Sequence, residues 1–266
     1  MKNLVPAILA AALCLCAFNS CLAEGSNLHV HSHAHNDYEH EHPLTDALDN
    51  RFYSVEADIW LVDGEILVAH NKGDWKGSLK DLYLDPLKKR VEDKGSIHGD
   101  DNPFYLWVDI KDGGDELRST LTNLLNQYSM LTRFTDEEIK EGPVTVVLTG
   151  DARAKEGLVK EYADRPFCRD SNGYSPNDPP VDNKWRWYAL RWWSYMDWEG
   201  NEDISSEEKA TLKKIVDDIH EKGRKVRFYA TPETQKYWTV ALEVGIDHIN
   251  TDDLERLNEF LEEKSK

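Results

Sequence analysis

Six of the ten histidines of this 266-residue chain fall between His29 and His42, in the stretch HVHSHAHNDYEHEH. Imidazole ligates metals and moves protons near neutral pH, so the cluster reads either as chemistry or as a polar loop. Further along, Glu56-x-Asp58 places two carboxylates two residues apart among Val55, Ala57 and Ile59. On a strand, that spacing puts both acids on one face and the apolar residues on the other. Two adjacent buried carboxylates repel each other and stay ionised only beside a cation, so a divalent metal is the economical expectation. Asp109-x-Lys111 repeats the spacing with an acid and a base, which suits a third ligand and a donor to a phosphoryl oxygen.

These pairs need elements to aim them. Strand-like runs occur at residues 28–32, 53–61, 104–110, 144–149, 166–169, 187–192, 226–230 and 246–250. Helical spacing is clearest over residues 115–128 and over 205–222, where Leu212, Ile215, Val216 and Ile219 form one stripe and Gly223 supplies the stop. Eight strands alternating with helices predict an α/β fold, a compact single-domain (β/α)8 TIM barrel, whose chemistry sits at the C-terminal strand ends. Asp63-Gly64 predicts a tight hairpin turn that returns the chain toward the second strand and delivers His70 beside it. Residues 170–184, rich in Pro, Asn and Asp, read as a loop over the barrel mouth.

Residues 1–23 have the form of a secretory signal peptide: Lys2, an apolar run from Leu4 to Phe18, and a small-residue end at Ala23. The barrel domain is then 24–266, exported to a periplasm or outside the cell. A lipid anchor on Cys21 is disfavoured by the poor lipobox Phe18-Asn19-Ser20. Cleavage leaves Cys168 alone, without a disulfide framework, and no later segment is apolar enough to span a bilayer. The net charge of −18 and pI near 4.9 argue against nucleic acid as a partner.

His35-Asn36-Asp37-Tyr38, Glu56-x-Asp58, His70 and Asp109-x-Lys111, in that order, resemble the superfamily of phosphatidylinositol-specific phospholipase C and glycerophosphodiester phosphodiesterase, in a secreted bacterial-type branch. Residues 245–252, GIDHINTD, are similar to the last strand of the glycerophosphodiesterases. The resemblance implies a TIM-barrel phosphodiesterase with His35 and His70 as catalytic histidines. It also implies Asn36, Glu56, Asp58 and Asp109 as ligands of Mg²⁺ or Ca²⁺, and a small phosphodiester or lipid headgroup as substrate. Asn36 matches the phospholipase C pattern, while Asp109-x-Lys111 is closer to the related phospholipase D toxins. Arg191 and Trp192, in an aromatic run between Trp185 and Trp198, are the expected substrate wall. His33, two residues before His35 on the same strand face, is a candidate to support it from behind; His29 and His31 read as barrel interior and His40 and His42 as solvated. Two other readings stay open: an amidohydrolase- or phosphatase-like metal site entered through His33-Ala34-His35, and a non-catalytic barrel that binds a headgroup or sugar.

Overall fold

The structure, a computed structural model, describes residues 27–266. The expected signal peptide lies outside the described residues. Eight parallel strands form the barrel, labelled here β1 (Ser32–Ala34), β2 (Ser54–Val62), β3 (Phe104–Ile110), β4 (Val144–Gly150), β5 (Phe167–Ser171), β6 (Trp185–Arg191), β7 (Lys225–Tyr229) and β8 (His248–Thr251). Each pairs with the next, and β8 pairs with β1 to close the ring. The first strand differs most from its sequence-based position. His29 and His31 lie in a 3-10 turn, Leu28–His31, because Asn27 caps it through its side-chain oxygen and pulls those residues out of the sheet.

Strand alternation sorts the side chains into two cores. Val55, Ala57 and Ile59 of β2 are fully buried against the outer helices, as are Leu106 and Val108 of β3. The inward faces carry Trp107, Val147, Cys168, Trp187 and Ala189, a separate apolar filling of the barrel. Register places Glu56 opposite Trp107 and Asp58 opposite Asp109, so Asp58 and Asp109 stand nearer the C-terminal strand ends than Glu56 and Trp107.

The helices follow from their sequence. The longest, Ser206–Glu221, starts at Ser205, whose side chain accepts from the Glu208 amide, and buries Leu212, Ile215, Val216 and Ile219. The chain turns away at Gly223, with φ of 81°. Between β5 and β6 there is no helix. The loop expected over the mouth instead runs down the outside of the barrel: the carbonyls of Pro176 and Asp178 accept from Lys222, and those of Pro179 and Pro180 from Arg224, beside the start of β7. Its proline and aspartate content suits an extended crossover tied by side chains rather than a helix. Among the described residues no helix is long and apolar enough to cross a membrane.

Candidate active site

The short β1 ends at Ala34 and delivers His35 to the mouth, where the His35 amide donates to the Thr251 carbonyl. Asn36 then adopts a left-handed conformation, φ 47° and ψ 42°, which asparagine tolerates better than most residues. Its side-chain oxygen accepts from the Tyr38 hydroxyl at 2.8 Å. Asp37 is not part of the mouth: it is buried, accepts from the Leu44 amide and the Tyr83 hydroxyl, and burial pushes its carboxyl up to about 7.

His35 Nδ1 lies 2.8 Å from Asp252 Oδ1, and its Nε2 lies 3.7 Å from Glu56 Oε2. Burial works against charge on this ring. The hydrogen bond to Asp252 and the fields of Glu56 and Asp252 outweigh it, so His35 titrates above the ordinary imidazole value. The hairpin across Asp63-Gly64 forms as expected, with Val62 paired to Glu65 and both turn residues at positive φ. It brings His70 to the same mouth, with Nδ1 3.0 Å from Asp58 Oδ2 and a side chain 53% exposed.

Between the two imidazoles lie the carboxylates. Lys111 Nζ bridges Asp58 Oδ2 at 2.8 Å and Asp109 Oδ2 at 3.1 Å. Burial and the charges of Glu56 and Asp58 push Asp109 up to about 6, with Lys111 acting against them. Gly150, at φ +82°, leaves the space Asp109 needs, since a Cβ there would sit 2.1 Å from Asp109 Oδ1. Glu56 is held by Arg227, Nη2 to Oε1 at 2.6 Å. Burial alone would raise the Glu56 carboxyl, but the guanidinium and neighbouring imidazoles hold it well below its usual range.

Two carboxylate oxygens of this cluster remain without a partner although buried, Glu56 Oε2 and Asp58 Oδ1. Buried oxygens left unsatisfied in a cluster of three acids and two bases fit a cation better than they fit water. Asp109 and Asn36 supply further hard oxygen donors, each now engaged by Lys111 or Tyr38. Among the described residues, no three His, Cys, Asp or Glu side chains already surround one point as a ready metal cage.

The structure thus gathers His35, Asn36, Glu56, Asp58, His70, Asp109 and Lys111. Arg191 continues the inward face of Trp187 and Ala189, is exposed at the mouth end of β6 and pairs in register with Tyr229. Trp192 corrects its expectation as substrate wall. Alternation turns it to the helix side, where it is 0% exposed, donates to the Trp198 carbonyl and packs on Phe228 and Tyr237. His33 is likewise closed to a ligand: Nδ1 is 2.7 Å from Ser54 Oγ and Nε2 is 3.0 Å from Arg227 Nη1. That engagement removes the first histidine of the HxH reading. Sequence reasoning missed Asp252 and Arg227. The signal for Arg227 was present, since Lys225-x-Arg227 puts two charges at i, i+2 among apolar neighbours of a strand, as Glu56-x-Asp58 does.

A family model described as an AIM6-like phosphodiesterase domain matches residues 24–167, more than half of the chain, and spans His35 through Lys111 but not Arg227 or Asp252. The protein named altered inheritance of mitochondria protein 6 from Lachancea thermotolerans is 27% identical over 81% of this chain and 62% of its own length. Its namesake from Eremothecium gossypii is 26% identical over 82% of this chain and 66% of its own length. The chain therefore spans less than two thirds of the length of these relatives. In fold, the barrel is similar to the crystal structure of glycerophosphodiester phosphodiesterase from Agrobacterium tumefaciens, with a TM-score of 0.50, 10% identity and coverage of 85% of this chain and 98% of that one. The expectation of an exported, bacterial-type protein in a periplasm or outside the cell is corrected by these relatives, which are yeast proteins named for mitochondrial inheritance. With the barrel closed and the motif residues gathered at its mouth, the match over residues 24–167 places this chain in the family of AIM6-like phosphodiesterase domains.

Proposed function

We propose that the protein is a divalent-cation-dependent phosphodiester hydrolase, with His35 as general base and His70 as general acid, acting on a glycerophosphodiester, phosphoinositide or related phosphodiester. The observation that carries this reading is the anchoring of each ring through Nδ1 to a carboxylate, His35 to Asp252 and His70 to Asp58, on either side of the orphaned Glu56 and Asp58 oxygens. A carboxylate on Nδ1 fixes the tautomer and leaves Nε2 as the working atom.

Glu56 and Asp58 would hold Mg²⁺ or Ca²⁺, with Asp109 and Asn36 as further donors. The bound ion supplies neutralisation of the phosphoryl charge. His35 Nε2 removes the proton of the attacking oxygen as that oxygen bonds to phosphorus. His70 Nε2–H gives its proton to the departing alkoxide as the P–O bond breaks. Where the substrate carries a hydroxyl beside the phosphoester, that hydroxyl is the nucleophile, proximity favours it over water, and the first product is a cyclic phosphodiester. Lys111 and Arg191 supply positive charge to an anionic diester in an otherwise acidic protein. The test is a panel containing glycerophosphoinositol, glycerophosphocholine and a lysophospholipid, incubated with protein and Mg²⁺ or Ca²⁺ and followed by phosphorus NMR. Conversion of at least one diester to a monoester or cyclic diester is expected; no conversion of any diester with either ion would contradict the proposal.

A further inference from the structure

Below the mouth, Arg227 makes more buried polar contacts than any other base near the site. It projects from β7 into the barrel at 2% exposure, with its guanidinium carbon 4.2 Å from the centre of the Trp107 ring. Nη2 donates to Glu56 Oε1 at 2.6 Å, while Nη1 donates to Asn250 Oδ1 at 2.8 Å and to His33 Nε2 at 3.0 Å. His33 must therefore accept at Nε2 and donate from Nδ1 to Ser54 Oγ, 2.7 Å away. One planar group thus ties together β1, β2, β7 and β8.

The consequence falls on Glu56. Of its two oxygens one is taken by the fork, and the other, Oε2, has no hydrogen-bond partner and lies 3.7 Å from His35 Nε2 and 3.8 Å from His33 Nε2, which is itself engaged by Arg227. An unrestrained carboxylate could rotate and offer both oxygens. We propose that Arg227 is a positioning residue that holds Glu56 to a single free oxygen turned toward the mouth, so that the glutamate serves a divalent cation with Oε2 alone. This role rests on the metal reading of the proposed function. A lysine cannot reproduce it, because a point ammonium cannot bridge Glu56, Asn250 and His33 in one plane as a guanidinium fork does. Removing the charge altogether would strand Glu56 in the interior, which is why the charge-conserving variant is the informative one.

The experiment is calorimetric titration of the chelator-treated full chain with Mg²⁺ and with Ca²⁺, for wild type and Arg227→Lys, alongside the metal dependence of diester hydrolysis and the rise in unfolding temperature that the ion produces. Groups that orient a metal ligand change affinity by about 10- to 100-fold when replaced, so the Arg227→Lys Kd should weaken by at least about tenfold. The metal concentration for half-maximal activity should shift by the same factor, the metal-induced rise in unfolding temperature should shrink, and kcat at saturating metal should stay within about threefold of wild type. If Arg227→Lys does not fold, Asn250→Ala, which removes one acceptor of the fork, should weaken the Kd in the same direction by a smaller factor. A folded Arg227→Lys with unchanged Kd, or with tighter binding, overturns the role, and so does an unchanged Kd in Asn250→Ala when the lysine variant is unfolded. A wild-type chain that binds neither ion removes the metal reading and this role together, and that outcome is distinct because it appears before any substitution is made.

Discussion

Asp252 Oδ1 and His35 Nδ1 stand 2.8 Å apart although 217 residues separate them in the chain. Closure of the barrel makes the contact: Ala34 pairs with Thr251, so the residues that follow the first and last strands become neighbours at the mouth. The carboxylate orients the ring and favours its charged form once the proton has been taken. Asp252→Asn keeps the size and loses the charge. Its kcat should fall by about 10- to 100-fold, or about 1.4 to 2.7 kcal/mol in barrier, with little change in unfolding temperature because the side chain is 66% exposed. Steady-state kinetics of the variant on one diester checks this; an unchanged kcat would leave His35 without need of its anchor.

The two imidazoles separate by leaving group. General acid catalysis matters most when the departing alkoxide is basic, with typical contributions of about 10²- to 10⁴-fold. His70→Ala should therefore lose activity severely on an alkyl diester and recover much of it on a nitrophenyl diester. His35→Ala should lose both, because the attacking oxygen still needs its proton removed. Rescue of His35→Ala alone would reverse the two roles.

Much of this site was legible in the chain because polar residues at i, i+2 among apolar neighbours can only share the inward face of a barrel strand. Glu56, Asp58, Asp109 and Lys111 follow that rule, and the Asp63-Gly64 turn carried His70 to them. The same alternation, applied to β6, separates Arg191 from Trp192, but the strand end was needed to fix its phase. The contacts of Asp252 and Arg227 were not legible, since each depends on barrel closure and on which side chains meet across it. The course of the loop between β5 and β6, down the barrel wall rather than over the mouth, was hidden for a related reason: Lys222 and Arg224 satisfy it from a distant segment.

Arg191 and Trp192 should now behave differently. Trp192→Ala removes a fully buried ring from among Phe228, Tyr237 and Trp198, and should cost about 3 to 5 kcal/mol in stability. Arg191→Ala, at an exposed position, should leave unfolding nearly unchanged and raise KM for anionic diesters. Denaturant unfolding and kinetics on both variants distinguish them, and a large stability loss for Arg191→Ala would place it in the packing as well.

His248 gives a pH dependence with a definite sign. It is buried against Trp187 and Tyr105, stacked on His33 and held by burial well below the ordinary imidazole pKa. The unfolded chain therefore takes up a proton near pH 6.5 that the folded chain refuses. Stability from this group is present above 6.5 and lost as pH falls below it, by about 1.4 kcal/mol per pH unit. Asp37 and Asp109, with raised carboxyls, act in the opposite direction, so the measurement is a difference between proteins. His248→Phe should lose less stability than wild type between pH 6.5 and 5.5, by about 1 kcal/mol. Parallel curves would mean that the ring is protonated in the folded state.

The most direct test of a cation-dependent, two-histidine phosphodiesterase is the rate of nitrophenyl release from bis(p-nitrophenyl) phosphate by the full chain, first with all divalent metal chelated and then with Mg²⁺ or Ca²⁺ restored. The orphaned Glu56 and Asp58 oxygens motivate the expectation of no hydrolysis above background in chelator and recovery on adding one of the two ions. Full activity in thoroughly chelated protein would contradict the metal dependence, and no activity in any condition would contradict the enzyme itself.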